Sequence, residues 1–198
     1  MEPPSSRPSR RVAAPGLGAW AATQALAAFS DNYLRSALGW WVFAASVRSD
    51  AWPLALAGGV LAFALPSVLL SGQAGTWADL GDRRRVLLAA QVVGLGAGLV
   101  GAGALWAHSW PALAAAVVLC GVRAALLGPV KYALLPDLLP EERWLAGNAA
   151  VEAGTYVAAL IGTATGVLAV LPGWEVAALV LAIWPAVGGA MSAVRFGR

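Results

Sequence analysis

Charged residues are scarce in this chain. They make up 12% of its 198 residues, about half the roughly 25% of a soluble domain, so an ordinary water-facing surface is excluded. Lysine is nearly absent: Lys131 is the only one, and arginine supplies the other basic side chains. The formal charge of +3 is too small and too dispersed for a nucleic-acid footprint. The single cysteine, Cys120, excludes an internal disulfide. The single histidine, His108, falls in a short polar connection, and no nucleophile–base pair or metal-binding set can be assembled. Neither enzymatic activity nor a cofactor is expected.

Apolar length is what the chain has in quantity. Hydrophobic residues are 60% of it and the mean hydropathy is +0.72. A helix needs roughly 20 apolar residues to cross a bilayer. On that scale six spans are predicted, near 17–46, 53–78, 85–107, 111–135, 145–171 and 174–194. The fold class expected is therefore an all-α, polytopic membrane protein. Residues 1–16 read as a polar, proline-rich arm rather than a cleavable leader, because further apolar segments follow directly. Residues 17–194 form the bundle, and 195–198 begin a further loop. Arg7, Arg10, Arg11, Arg83, Arg84, Arg85, Arg143, Arg195 and Arg198 fall on one side of this topology and Arg48 on the other. The positive-inside rule then predicts that both termini are cytoplasmic.

Five ionisable side chains remain inside the spans: Asp31, Arg35, Arg123, Lys131 and Glu152. A charge at the bilayer centre costs at least about 2.5–3.5 kcal/mol, so such groups face a bundle interior or a wet cavity and find partners. Gln24, Asp31 and Arg35 share one helix face by their spacing, and so do Asn148, Glu152, Thr155, Tyr156 and Thr163. Two readings stand side by side. The charges line a binding cavity, or they form a structural network in which Asp31 pairs with Arg35 and Glu152 neutralises Arg123 or Lys131.

Small residues are dense in the spans, as in "GLGAGLVGAGA" and "GTATG", and let helix backbones approach closely. The stretch "GAGLVG" matches the dinucleotide fingerprint in form only, since no strand or βαβ unit surrounds it. Between the second and third spans stands "GTWADLGDRRR". Its glycine permits close approach, its aspartate can neutralise a helix end, and its arginines anchor the turn.

Gly75, Asp79, Arg83 and Arg84 match the signature G-x-x-x-D-x-x-x-R-[RK] that the major facilitator superfamily carries between its second and third spans. Leu80 and Asp82 depart from that pattern, where a basic residue and a glycine are usual. With "TQALAAFSDNYLRSAL", "GPVKYALLPDLLPEE" and "AGNAAVEAGTYVAALIGT", the chain resembles the amino-terminal six-helix half of that superfamily, and within it the bacterial lysophospholipid transporters. The same module is fused to acyltransferase and acyl-carrier-protein synthetase domains in some bacteria. The resemblance implies a transporter of the bacterial inner membrane that moves a lysophospholipid between leaflets for re-acylation. An ion-coupled exporter of a drug or small metabolite is the alternative, with Asp31 or Glu152 as carrier. A lysophosphatidylethanolamine headgroup would place its phosphate on Lys131, with Arg123, and its amine on Asp31 or Glu152. Asn32 and Tyr132 would add hydrogen bonds. Two six-helix halves rock around a midplane site in such transporters. This chain is therefore expected to be a fragment lacking its carboxy-terminal half, or else to pair with a second copy.

Overall fold

The computed structural model describes residues 15–47, 50, 52–80 and 83–196. The side chains of Pro15, of 132–137 and of 192–196 lie outside that description. Among the described residues there is no strand, only helix and tight turns. Six long helices follow one another: α1 (Pro15–Ser46), α2 (Trp52–Leu80), α3 (Arg83–Trp106), α4 (Trp110–Leu138), α5 (Trp144–Leu168) and α6 (Glu175–Phe196). A single 3₁₀ turn, Glu141–Arg143, precedes α5. The arm at 1–14, Arg48, Asp82 and Arg198 lie outside the described residues, so the orientation they imply has no structural counterpart.

Among the described residues, four stretches combine the length and hydropathy of a membrane span: Trp52–Leu80, Arg83–Trp106, Trp110–Lys131 and Glu141–Leu168. The described part of α6, Glu175–Met191, is apolar but shorter. The first helix is long enough, at 32 residues, yet is absent from that set. The cause is its own sequence, which places Thr23, Gln24, Ser30, Asp31, Asn32 and Arg35 within three and a half turns. A helix so polar is stable in lipid only when other helices wrap it.

That is where α1 sits. It packs most extensively on α5 and α6 and also meets α2 and α4, while α3 lies against α4 and α6. Glycines set the close approaches. A Cβ on Gly162 would run into the Phe29 carbonyl, and one on Gly166 into the Tyr33 carbonyl. The register advances in the same sense on both helices, so α1 and α5 run parallel. Against α6 the sense reverses: Leu26 fits over Gly188, and the Tyr33 hydroxyl donates 2.8 Å to the Ala178 carbonyl. On the far side, Gly121 of α4 rests on the Phe63 carbonyl of α2. These contacts replace the hydrophobic drive that lipid cannot supply between helices.

The buried apolar residues divide into two clusters along the bundle axis. One contains Trp20, Ala78, Leu87, Leu127, Val130 and Val151, near the α2–α3 and α4–α5 turns. The other contains Tyr33, Leu38, Leu105, Leu113, Val117 and Ala182, near the opposite turns. Between them α1 contributes Asp31, α4 contributes Arg123 and α3 contributes Gly94. The buried layer at that level is polar, and the functional question begins there.

Candidate functional site: two intramembrane ion pairs

Arg123 is enclosed, with 1% of its surface exposed. Its guanidinium reaches across from α4 to α1, donating to the Asp31 carboxylate and, at 2.7 Å, to the Ala27 carbonyl. Gly94 of α3 makes this possible, because a Cβ there would stand 2.7 Å from both Cδ and Nη1 of Arg123. Cys120, buried one turn before Arg123 on α4, completes the packing at this level. Asp31 is 9% exposed. The acid at position 31 thus finds its partner on another helix, not on Arg35 one turn away. Arg123 does not extend toward either end of the bundle; the partner across it holds the guanidinium at the level of the middle of α4.

Among the described residues, four nearby buried polar atoms find no hydrogen-bond partner: Gln24 Nε2, Ser30 Oγ, Gln91 Nε2 and Arg123 Nε. Gln24 lies two turns below Asp31 on α1, and Gln91 one turn below Gly94 on α3. The polar face expected of α1 is therefore real at Gln24 and Asp31 but turned inward against neighbouring helices.

The second pair joins α4 to α5. Lys131 Nζ stands 2.6 Å from Glu152 Oε1, with side-chain exposures of 16% and 24%. Lys131 lies eight residues beyond Arg123, about 12 Å further along α4. Asn148 and Thr155 sit one turn to either side of Glu152 and are half-buried. Magnitudes separate the two pairs. The first is closed, and breaking it would strand a charge at a cost of about 3–5 kcal/mol. The second is reachable, and a ligand carrying both signs can exchange with it without leaving either charge unpaired.

The remaining expected residues fall elsewhere. Asn32 donates to the Ala28 carbonyl at 2.8 Å and lines a groove between α1, α2 and α5. The side chain of Tyr132 lies outside the described residues. Gly75 is half-buried and Asp79 exposed at the end of α2, and Arg83 and Arg84 open α3 across the turn. The six candidate binding residues thus resolve into one enclosed pair, one reachable pair and Asn32, with Tyr132 not placed. The sequence grouped Arg35 with the other intramembrane charges but not with the headgroup-binding residues, and it is exposed and lies over the face of Phe63 with Cζ 4.3 Å from the ring centroid. Its signal was there, a basic residue in an apolar run whose nearest acid another helix could claim. Among the described residues no group of His, Cys, Asp and Glu could hold a metal ion.

Comparison with known families matches residues 20–198 to the one described as Major Facilitator Superfamily. Neither the curated proteins nor the solved structures give a match to this chain.

Proposed function

The chain belongs to the major facilitator superfamily of membrane transporters, and from that premise we propose that its cargo is a lysophospholipid, moved between leaflets of the bacterial inner membrane for re-acylation. One observation carries the reading: the partly exposed Lys131–Glu152 pair at 2.6 Å. A zwitterionic headgroup brings a phosphate and an ammonium. The phosphate takes Lys131 as Glu152 turns to the ammonium, so the cation and the carboxylate exchange partners and neither is left bare in lipid. A phosphate also suits a lysine, which binds it as a point charge. Asn148 and Thr155 lie within one turn to hydrogen-bond the head. The single acyl chain stays among the lipid tails, so only the headgroup needs a polar path. Asp31 and Arg123 hold α1 and α4 together at the level the head must pass.

A second six-helix bundle, a carboxy-terminal half or another copy of this chain, covers the face that carries Tyr156 and Thr163, where Tyr156 is 67% exposed. Both termini lie in the cytoplasm, as the positive-inside rule requires. An ion-coupled exporter of a drug or metabolite is the second reading. The buried Asp31–Arg123 pair favours it, since protonating the acid would release the guanidinium and loosen α1 from α4.

Proteoliposomes containing the full chain, alone and with a carboxy-terminal six-helix half, test the cargo. Labelled lysophosphatidylethanolamine should change leaflet faster than in protein-free vesicles. Movement of a soluble drug but of no lysolipid by the complete pair would overturn the reading in favour of the exporter.

A further inference from the structure

A third cation lies apart from both ion pairs. Arg35 opens onto a groove of about 650 Å³ between α1, α2 and α5. Asn32, Ser36 and Thr163 bring polar atoms to it, and Trp40, Phe43 and Leu56 supply apolar walls. The nearest acid along the helix, Asp31, is already engaged by Arg123. Among the described residues no carboxylate pairs with Arg35, whose one described contact is the face of the Phe63 ring. That contact is to the ring face, and among the described residues no hydrogen bond or ion pair takes up the guanidinium N–H donors. Those donors form a rigid fork that matches a phosphate or carboxylate.

An exposed arginine at this depth calls for an anion, and the walls around it call for a chain. We propose that this groove binds the anionic headgroup of a single-chain amphiphile, with Arg35 as the direct partner of the anion and Trp40, Phe43 and Leu56 against the first carbons of the chain. The site is distinct from Lys131–Glu152. Arg35 lies one turn beyond Asp31 in one direction, and Lys131 lies eight residues beyond Arg123 in the other. The two cations are thus about 18 Å apart along the bundle axis, at 1.5 Å per residue. The choice of an amphiphile rests on the lysophospholipid reading; the choice of an anion rests on Arg35 alone.

Equilibrium binding of radiolabelled dodecyl phosphate to the full chain in phosphatidylcholine nanodiscs tests the site. Arg35→Gln should weaken binding at least tenfold, and Arg35→Lys less. Dodecyltrimethylammonium should not compete, and inorganic phosphate should compete at least a hundredfold more weakly. Gly59→Phe is the second variant. Gly59 lines the groove, and among the described residues an added Cβ would have Leu38 alone within 4 Å, at 3.8 Å. The phenylalanine should fill the groove and weaken binding with Arg35 in place and the melting temperature unchanged. Affinities within twofold of the parent in both variants would overturn the proposal. Inorganic phosphate competing as well as dodecyl phosphate would overturn the amphiphile. Loss in Lys131→Ala but not in Arg35→Gln would move the anion to the other pair and overturn the groove, leaving the cargo reading intact. Arg35-dependent binding without any lysophosphatidylethanolamine transport would do the reverse, defeating the cargo reading and supporting the groove.

Discussion

Replacing Arg123 with methionine removes one partner of the enclosed pair while keeping much of its volume. Asp31, whose side chain is 12% exposed, then loses its guanidinium, and the Ala27 carbonyl loses a 2.7 Å donor. Stranding a buried charge in this way costs about 3–5 kcal/mol, most of it from the acid left behind. Combining Arg123→Met with Asp31→Asn removes that stranded charge, so the double variant should recover all but about 1–2 kcal/mol of the loss, the part due to unpaired neutral groups. The equivalent change at the reachable pair, Lys131→Met, should cost about 1 kcal/mol or less, because Glu152 at 24% exposure keeps access to other partners. Unfolding in mixed micelles with rising dodecyl sulfate, followed by helical circular dichroism, measures all four proteins. At 1.4 kcal/mol per decade, the gap between the two single variants corresponds to at least about a tenfold difference in unfolding equilibrium. A loss below about 1 kcal/mol for Arg123→Met, or a double variant no more stable than the single one, would refute the placement of Arg123 as the partner on which α1 depends.

The glycine contacts and the Tyr33 hydroxyl give further outcomes in the same assay. Gly94→Ala should destabilise by about 1–3 kcal/mol, since its methyl needs the space that Arg123 fills; no effect would mean that the arginine lies elsewhere. Gly162→Val should separate α1 from α5 by displacing the Phe29 carbonyl, at a cost of about 2 kcal/mol or more, whereas Gly103→Val, with nothing within 4 Å of its added Cβ, should be nearly neutral. Tyr33→Phe deletes a buried 2.8 Å hydrogen bond to Ala178 and should cost about 0.5–1.5 kcal/mol, since the carbonyl keeps its own helical N–H donor. Its melting temperature, measured beside the parent, checks this.

The helices were legible because each is written in local chemistry. The spacing places the second span at 53–78, and α2 occupies Trp52–Leu80. The fourth is placed at 111–135, and α4 occupies Trp110–Leu138. The fifth ends earlier than hydropathy suggests, at Leu168 rather than near 171. The turn behind it is set by backbone geometry: Gly173 adopts a left-handed φ of 86°, and its N–H donates 3.0 Å to Glu175. Membership of a family was legible in the Gly75–Arg84 signature, and a match over residues 20–198 now shows it.

Pairing was not legible, for a physical reason. Spacing along one helix reports which residues share a face, but not which helix that face meets. Asp31 and Arg35 are four apart, as an intrahelical pair requires, yet the close glycine contacts with α5 and the void left by Gly94 bring Arg123 to Asp31 first. The same packing leaves Arg35 without a paired acid among the described residues, an outcome that spacing alone had not suggested. For Glu152 the two candidate partners, Arg123 and Lys131, were equivalent in sequence, and the structure chooses Lys131.

Affinity for lysophosphatidylethanolamine, measured in nanodiscs for the parent, Lys131→Ala and Glu152→Gln, bears most directly on the function. Each substitution should lower affinity at least tenfold, about 1.4 kcal/mol, with the melting temperature little changed. Parental affinity in both folded variants would mean that the headgroup never meets this pair, and the cargo would have to be sought elsewhere.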